Sequence, residues 1–226
     1  MSAPAGFWQR YAAWSLDAAL VAVLISPFLS AGIAQDARAL DGAFSSWLVT
    51  FYTKLATQMD ASGLPPLSLL GDATLRQDLA AIQGALLQLV GPPALAFAMV
   101  SGLYHVASDT SRWQGSLGKR ALRLQVADRE GRRIGIARAI GRHLAGAASW
   151  LTLNVGHAMA ALAPNHRALH DVLSGTRVLA PRDARLPGWA RGWIAMQALA
   201  GLAASAWLVA HLVQLVHVAL EQALGA

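Results

Sequence analysis

The chain contains no cysteine among its 226 residues, which excludes disulfides and thiolate zinc sites. Charge is scarce as well, at 13 % of residues against about 25 % in ordinary soluble domains. Acidic residues are the scarcer sign, twelve against eighteen basic ones. In a soluble protein such an excess would point to nucleic acid, but loops on the cytoplasmic side of a membrane carry the same signature. Hydrophobic residues make up 55 % of the chain, and eight of its sixteen aromatics are tryptophan, a ring that collects at membrane interfaces. Together these features predict an integral membrane protein, with lipid and not nucleic acid as its surroundings.

Long apolar runs bear this out. Residues 11–33 form a run of 23, where about 20 suffice to cross the hydrocarbon core. A cleaved signal peptide is the rival reading, but its apolar region usually has about 7–15 residues and no acid such as Asp17. Residues 84–107 form a second run, and Gly91-Pro92-Pro93 within it predicts a kink or break. A third, 143–163, is interrupted by His143, Asn154 and His157. A fourth, 192–220, is rich in small residues, with Gly201 and Ser205 spaced for close helix packing.

Charge then orients the segments. Residues 34–83 carry three basic residues and five aspartates, whereas 108–142 carry nine basic residues and three acids. Basic loops stay in the cytoplasm. This places the amino terminus inside a bacterial inner membrane, 34–83 outside as a loop, and 108–142 inside. Residues 164–191 are also basic, so a single crossing of 143–163 would strand them outside. A re-entrant or interfacial hairpin bending near Asn154, Gly156 and His157 resolves the conflict. The expected fold is therefore all-α, with three transmembrane helices plus that hairpin; four full spans is the alternative. Leu122, Leu124 and Val126 alternate with Arg123, Gln125 and Ala127, the period of a half-exposed strand. Asp128 to Gly131 reads as a turn, with a second strand through Ile134 and Ile136 closing a small cytoplasmic β-hairpin. In the outer loop, residues 43–59 predict an amphipathic helix.

Three blocks stand out between the runs. The first is Gly6-Phe7-Trp8-Gln9-Arg10 with Asp17. The second is Ser116-Leu117-Gly118-Lys119-Arg120-Ala121-Leu122. The third is His166-Arg167-Ala168-Leu169-His170-Asp171, followed by Ser174-Gly175-Thr176. Together and in this order they resemble the RDD family of small polytopic membrane proteins, whose namesake arginine and two aspartates match Arg10, Asp17 and Asp171. The resemblance covers residues 6–180 and implies a membrane domain over 1–180. Residues 181–226 then form a linker and an additional transmembrane helix. Leu117, Gly118, Lys119, Gly175 and Thr176 fall on the shared motif. For function the resemblance implies transport, with cation/proton exchange for some members and accessory or assembly roles for others.

Arg10 and Asp17 share a helix face but stand roughly 10 Å apart along it, so Asp171 is the natural group to approach Arg10. An aspartate at that depth costs about 2.5–3.5 kcal/mol at most and marks a functional site by default. Two readings of this charge network, with His170 beside Asp171, stay open: a latch on the first helix, and an ion-coupling site. His166 and His170 are spaced for one metal, but no further ligand accompanies them, so neither metal nor cofactor is expected. Arg120, Arg123, Arg132 and Arg133, with Lys119, Arg129 and Arg138, form a basic surface suited to anionic lipid, at about 1 kcal/mol per residue. No catalytic constellation is present. A small transporter or ion-coupled permease is the leading expectation, with Asp17 carrying the exchangeable charge, Arg10 setting its pKa, and Asp171 with His170 gating the cytoplasmic end. An accessory protein of a membrane complex is the runner-up, and a ligand sensor the third class. Three spans are too few for inverted repeats, so a pore calls for a homo-oligomer or a membrane-protein partner.

Overall fold

The computed structural model describes residues 2–62, 67–151, 155–162 and 166–225. Helix α1, Phe7–Ser62, and helix α2, Ala73–Thr110, flank a short 3-10 turn at Leu67–Gly71. Helix α3, Leu117–Ala121, leads to strand β2, Gln125–Asp128; strand β1, Ser2–Pro4, precedes α1. Then come α4, Ile136–Leu151, α5, Val155–Leu162, α6, Leu169–Ser174, strand β3, Thr176–Pro181, and α7, Gly188–Leu224. Helices α1, α2 and α7 are each long and apolar enough to cross a membrane. In their most apolar windows only 11 %, 11 % and 0 % of residues are buried, so their apolar side chains face outward, as a lipid environment requires.

The chain divides into two units, Met1–Ser26 with Ala96–Gln197, and Pro27–Leu95 with Ala198–Ala226. The first holds a three-stranded antiparallel sheet in the order β1-β3-β2. Gln125 to Asp128 pair with Leu179 to Thr176, and Ser2 to Pro4 pair with Pro181 to Leu179. Leu122, Leu124 and Val126 are buried, as their alternation predicts, and pack with Ala12, Ala13, Ile134, Ala139, Val178 and Ala190.

The turn after β2 also forms, closed by Gly131 N–H to the Asp128 carbonyl (3.1 Å) with Gly131 at positive φ. The expected second hairpin strand through Ile134 and Ile136 does not. Ile134 enters the core, and α4 starts at Ile136. The residues from 136 onward carry helical spacing: Ile136, Ile140 and Leu144 are exposed along one face, while Ala139 and Arg142 are buried on the other. The partner of β2 is instead β3, from far along the chain.

This pairing bears on residues 143–163. Asp128 and Thr176 are register partners, so the chain on either side of this segment belongs to one sheet, and neither α4 nor α5 is among the helices long and apolar enough to cross a membrane. Gly156 of α5 sits against Ser149 and Leu169, where a side chain would collide. Asn154 and the His157 side chain, expected at the bend, lie outside the described residues.

The second unit changes the reading of residues 34–83. They do not form an open loop: α1 continues to Ser62 and α2 begins at Ala73. No glycine pair or proline interrupts residues 34–62, and its alanines favour helix; the amphipathic stretch 43–59 is a continuation of α1. Asp72 caps α2, its Oδ1 accepting from Thr74 N–H (2.9 Å) and Leu75 N–H (3.0 Å), while Lys54 binds its Oδ2 (2.8 Å). The Lys54 hydrogen bond and that of Leu75 lower the Asp72 pKa. Of the kink or break expected near Pro92, no break occurs: α2 is continuous through Pro92 and Pro93. Gly201 and Ser205 are exposed within the chain. His217 pairs with Glu221 (3.1 Å), and His211 with Asp41 (3.0 Å).

Candidate functional site

The first unit collects the three sequence blocks around two separate grips. Asp17, 1 % exposed, accepts from Tyr104 Oη (2.8 Å) and Gly118 N–H (2.8 Å) on Oδ1, and from Ser116 Oγ on Oδ2. Tyr104 Oη in turn accepts from Leu117 N–H (2.8 Å). The second block is thus a cradle for the first block's aspartate. A Cβ at position 118 would run into the Ala13 carbonyl and stand 3.0 Å from Asp17 Cγ, which is why glycine occupies it. Three donors thus satisfy the buried side chain of Asp17.

Arg10 does not meet Asp17. Its Nε donates to the Ala5 carbonyl (3.1 Å) and its Nη1 to Asp171 Oδ2 (2.5 Å). Asp171, fully buried, takes Arg142 Nη1 on its other oxygen, and Ala168 N–H binds Oδ2 (3.1 Å) at the start of α6. Burial opposes its charge, but Arg142, Arg10 and His170 overcome that and hold the carboxyl well below the usual range. Arg142 also donates to Thr176 Oγ1 (2.6 Å) and contacts His170 Nε2 (3.2 Å). Gly175 adopts φ +66° to end α6, the left-handed cap glycine allows, and this turns Thr176 toward Arg142.

Arg142 also lies 3.7 Å from Asp109 Oδ2, and Lys119 Nζ binds Asp109 Oδ1 (2.7 Å). Five charges therefore alternate in sign: Arg10, Asp171, Arg142, Asp109, Lys119. Arg142, Asp109 and Tyr104 were not singled out by the sequence, though Arg142, an arginine at the edge of an apolar run, carried a signal. Lys119 turns inward and leaves the basic surface. Arg120, Arg123, Arg132 and Arg133 stay exposed. Arg120 stands 4.1 Å over the Trp113 ring, Arg132 pairs with Asp128 and Glu130, and Arg133 donates to the Thr110 carbonyl (2.8 Å). His166 precedes α6 and binds the Ala160 carbonyl (3.1 Å), so it shares no helix face with His170.

Beside the alternating charges lies a cavity of about 380 Å³. Its polar end is formed by Arg10, His105, Asp109, Lys119, Arg142 and His170, with His143 nearby; Trp14, Ala98, Gly146, Ala147 and Ala160 line the rest. Among the described residues, Arg10 Nη2 and His105 Nδ1 are buried with no hydrogen-bond partner.

Three apolar helices, a small sheet and a buried charge cluster define a multi-pass membrane protein. The chain belongs to the RDD family, whose model matches residues 4–175; α7 lies beyond that match. It is similar to an uncharacterised protein, YxaI, of Bacillus subtilis (strain 168). The two are 26 % identical over 179 residues, which cover 79 % of this chain and 99 % of that one. No solved structure matches the chain.

Proposed function

We propose that the chain is a small membrane transporter or ion-coupled permease, with its amino terminus on the cytoplasmic side of a bacterial inner membrane. The supporting observation is the 380 Å³ cavity, which falls in the size range of ligand pockets and brings His105, Asp109, Lys119 and His143 together beside apolar helices. In this reading Arg10, Asp17, Asp171 and His170 frame the site, and the exchangeable charge is Asp109 with its histidines. Asp17, satisfied by three donors, acts as an anchor. Cation/proton exchange is the form tested first. In proteoliposomes holding an entrapped pH dye, a sodium or potassium gradient drives proton movement, and Asp109→Asn reduces it at least tenfold while the protein stays folded. Absence of proton movement from a folded, oriented sample overturns this reading.

The sealed environment of Asp17 favours a second reading, an accessory protein whose charge network only fastens α1 to the sheet. A homo-oligomer or a membrane-protein partner fits either reading. Under the second, Asp109→Asn leaves partner recovery unchanged, and no ion gradient is dissipated.

A further inference from the structure

The cavity has a direction. On α1, Phe7 and Arg10 line it at the first turn and Trp14 two turns on; on α2, Asp109 and His105 lead back to Ser101 and Ala98; on α4, Arg142 and His143 lead to Gly146 and Ala147. All three helices therefore pass from charge beside the sheet to small or aromatic side chains farther along. Alanine and glycine leave room there, and Trp14, 42 % exposed, stands at the margin. An apolar chain matches the apolar half, and an anionic head matches the charged half.

The charged half is rich in cationic donors. Arg10, Arg142 and Lys119 stand there with Asp109 and Asp171. The unpartnered Nη2 of Arg10 is a donor without an acceptor at the same end. Guanidinium and ammonium groups bind phosphate and carboxylate through charge-assisted hydrogen bonds.

We propose that this cavity binds an anionic amphiphile, with a phosphate or carboxylate head among Arg10, Lys119 and Arg142 and an apolar chain running past Ala98 and Ala147 toward Trp14. The volume holds a head and the first part of one chain, and the remainder lies in the bilayer. The inference names the ligand class of the cavity and rests on reading that cavity as the solute site.

Native mass spectrometry of the full chain in detergent tests it, with phosphatidic acid, oleate, dioleoylglycerol and inorganic phosphate as separate probes. The expected result is a one-to-one adduct with phosphatidic acid or oleate and none with dioleoylglycerol. Lys119→Gln keeps a donor for Asp109 but removes the charge, and weakens retention about tenfold. Ala98→Phe fills the apolar half and does the same with all charges intact. Arg132→Gln with Arg133→Gln, on the exposed surface, leaves retention unchanged. Equal retention of dioleoylglycerol overturns the proposal, as does displacement by inorganic phosphate, which would assign the site to a soluble anion. Loss only in the surface double variant overturns it too, placing the lipid outside. Amphiphile binding without ion-driven proton movement upholds the ligand and removes the exchange reading; proton movement without amphiphile binding does the reverse.

Discussion

Gly118 and Asp171 show how single residues hold the family's blocks together. At Gly118 the obstacle to a side chain is the Ala13 carbonyl, a backbone group that cannot rotate away. Gly118→Ala is expected to destabilise the protein by about 1–3 kcal/mol, read as a lower midpoint of thermal unfolding in detergent. Gly32→Ala, where nothing lies within 4 Å, leaves the midpoint unchanged or slightly higher. At Asp171 the penalty is electrostatic. Asp171→Asn leaves Arg10 and Arg142 buried without their counter-charge, a loss of about 3–5 kcal/mol. The sign with pH follows from the lowered folded pKa of Asp171. Its contribution is complete above the ordinary carboxylate value of about 3.9 and is lost as pH falls toward the lower folded value. Stability therefore declines on acidification below about pH 4, and Asp171→Asn, measured by the same unfolding assay, flattens that decline.

Elements differ in how plainly the sequence announced them. The apolar stretches of α1, α2 and α7 are legible because composition alone sets a membrane span, and β2 because Leu122, Leu124 and Val126 keep a strict period of two. The continuation of α1 through residues 34–62 was not, since charge and shorter apolar spacing there look like a surface loop. Nor was the pairing of β2: Ile134 and Ile136 repeat the alternation for one more step, and only the long-range competition with β3 decides against them. Arg10, Asp17 and Asp171 were visible as intramembrane or motif charges, whereas Arg142 and Asp109 gain meaning only once α4 and α2 face each other across the cavity. At the start of α2 the Asp72 cap makes a local prediction. Asp72→Ala speeds hydrogen exchange at the amides of Thr74 and Leu75 and leaves that of the sheet unchanged.

For the molecule as a whole, the sheet fixes sidedness. β1, β2 and β3 belong to one sheet, so the residues beside them share one side of the membrane. The absence of cysteine makes this easy to check: single variants Ser2→Cys, Arg129→Cys and Arg185→Cys are all expected to react with a membrane-impermeant maleimide from the same side of oriented vesicles. Labelling of one from the opposite side would break the sheet. The same topology has a consequence for biogenesis. Arg10 leaves the ribosome early, but its partner Asp171 follows 161 positions later, and the central strand β3 later still. At synthesis rates of about 5–20 residues per second, the first helix stands in or near the membrane on the order of 10–30 s with an unneutralised guanidinium. Insertion is thus separated in time from assembly, and a chain cut short before Asp171 keeps α1 and α2 but lacks α7 and the partner that would lock Arg10 in place.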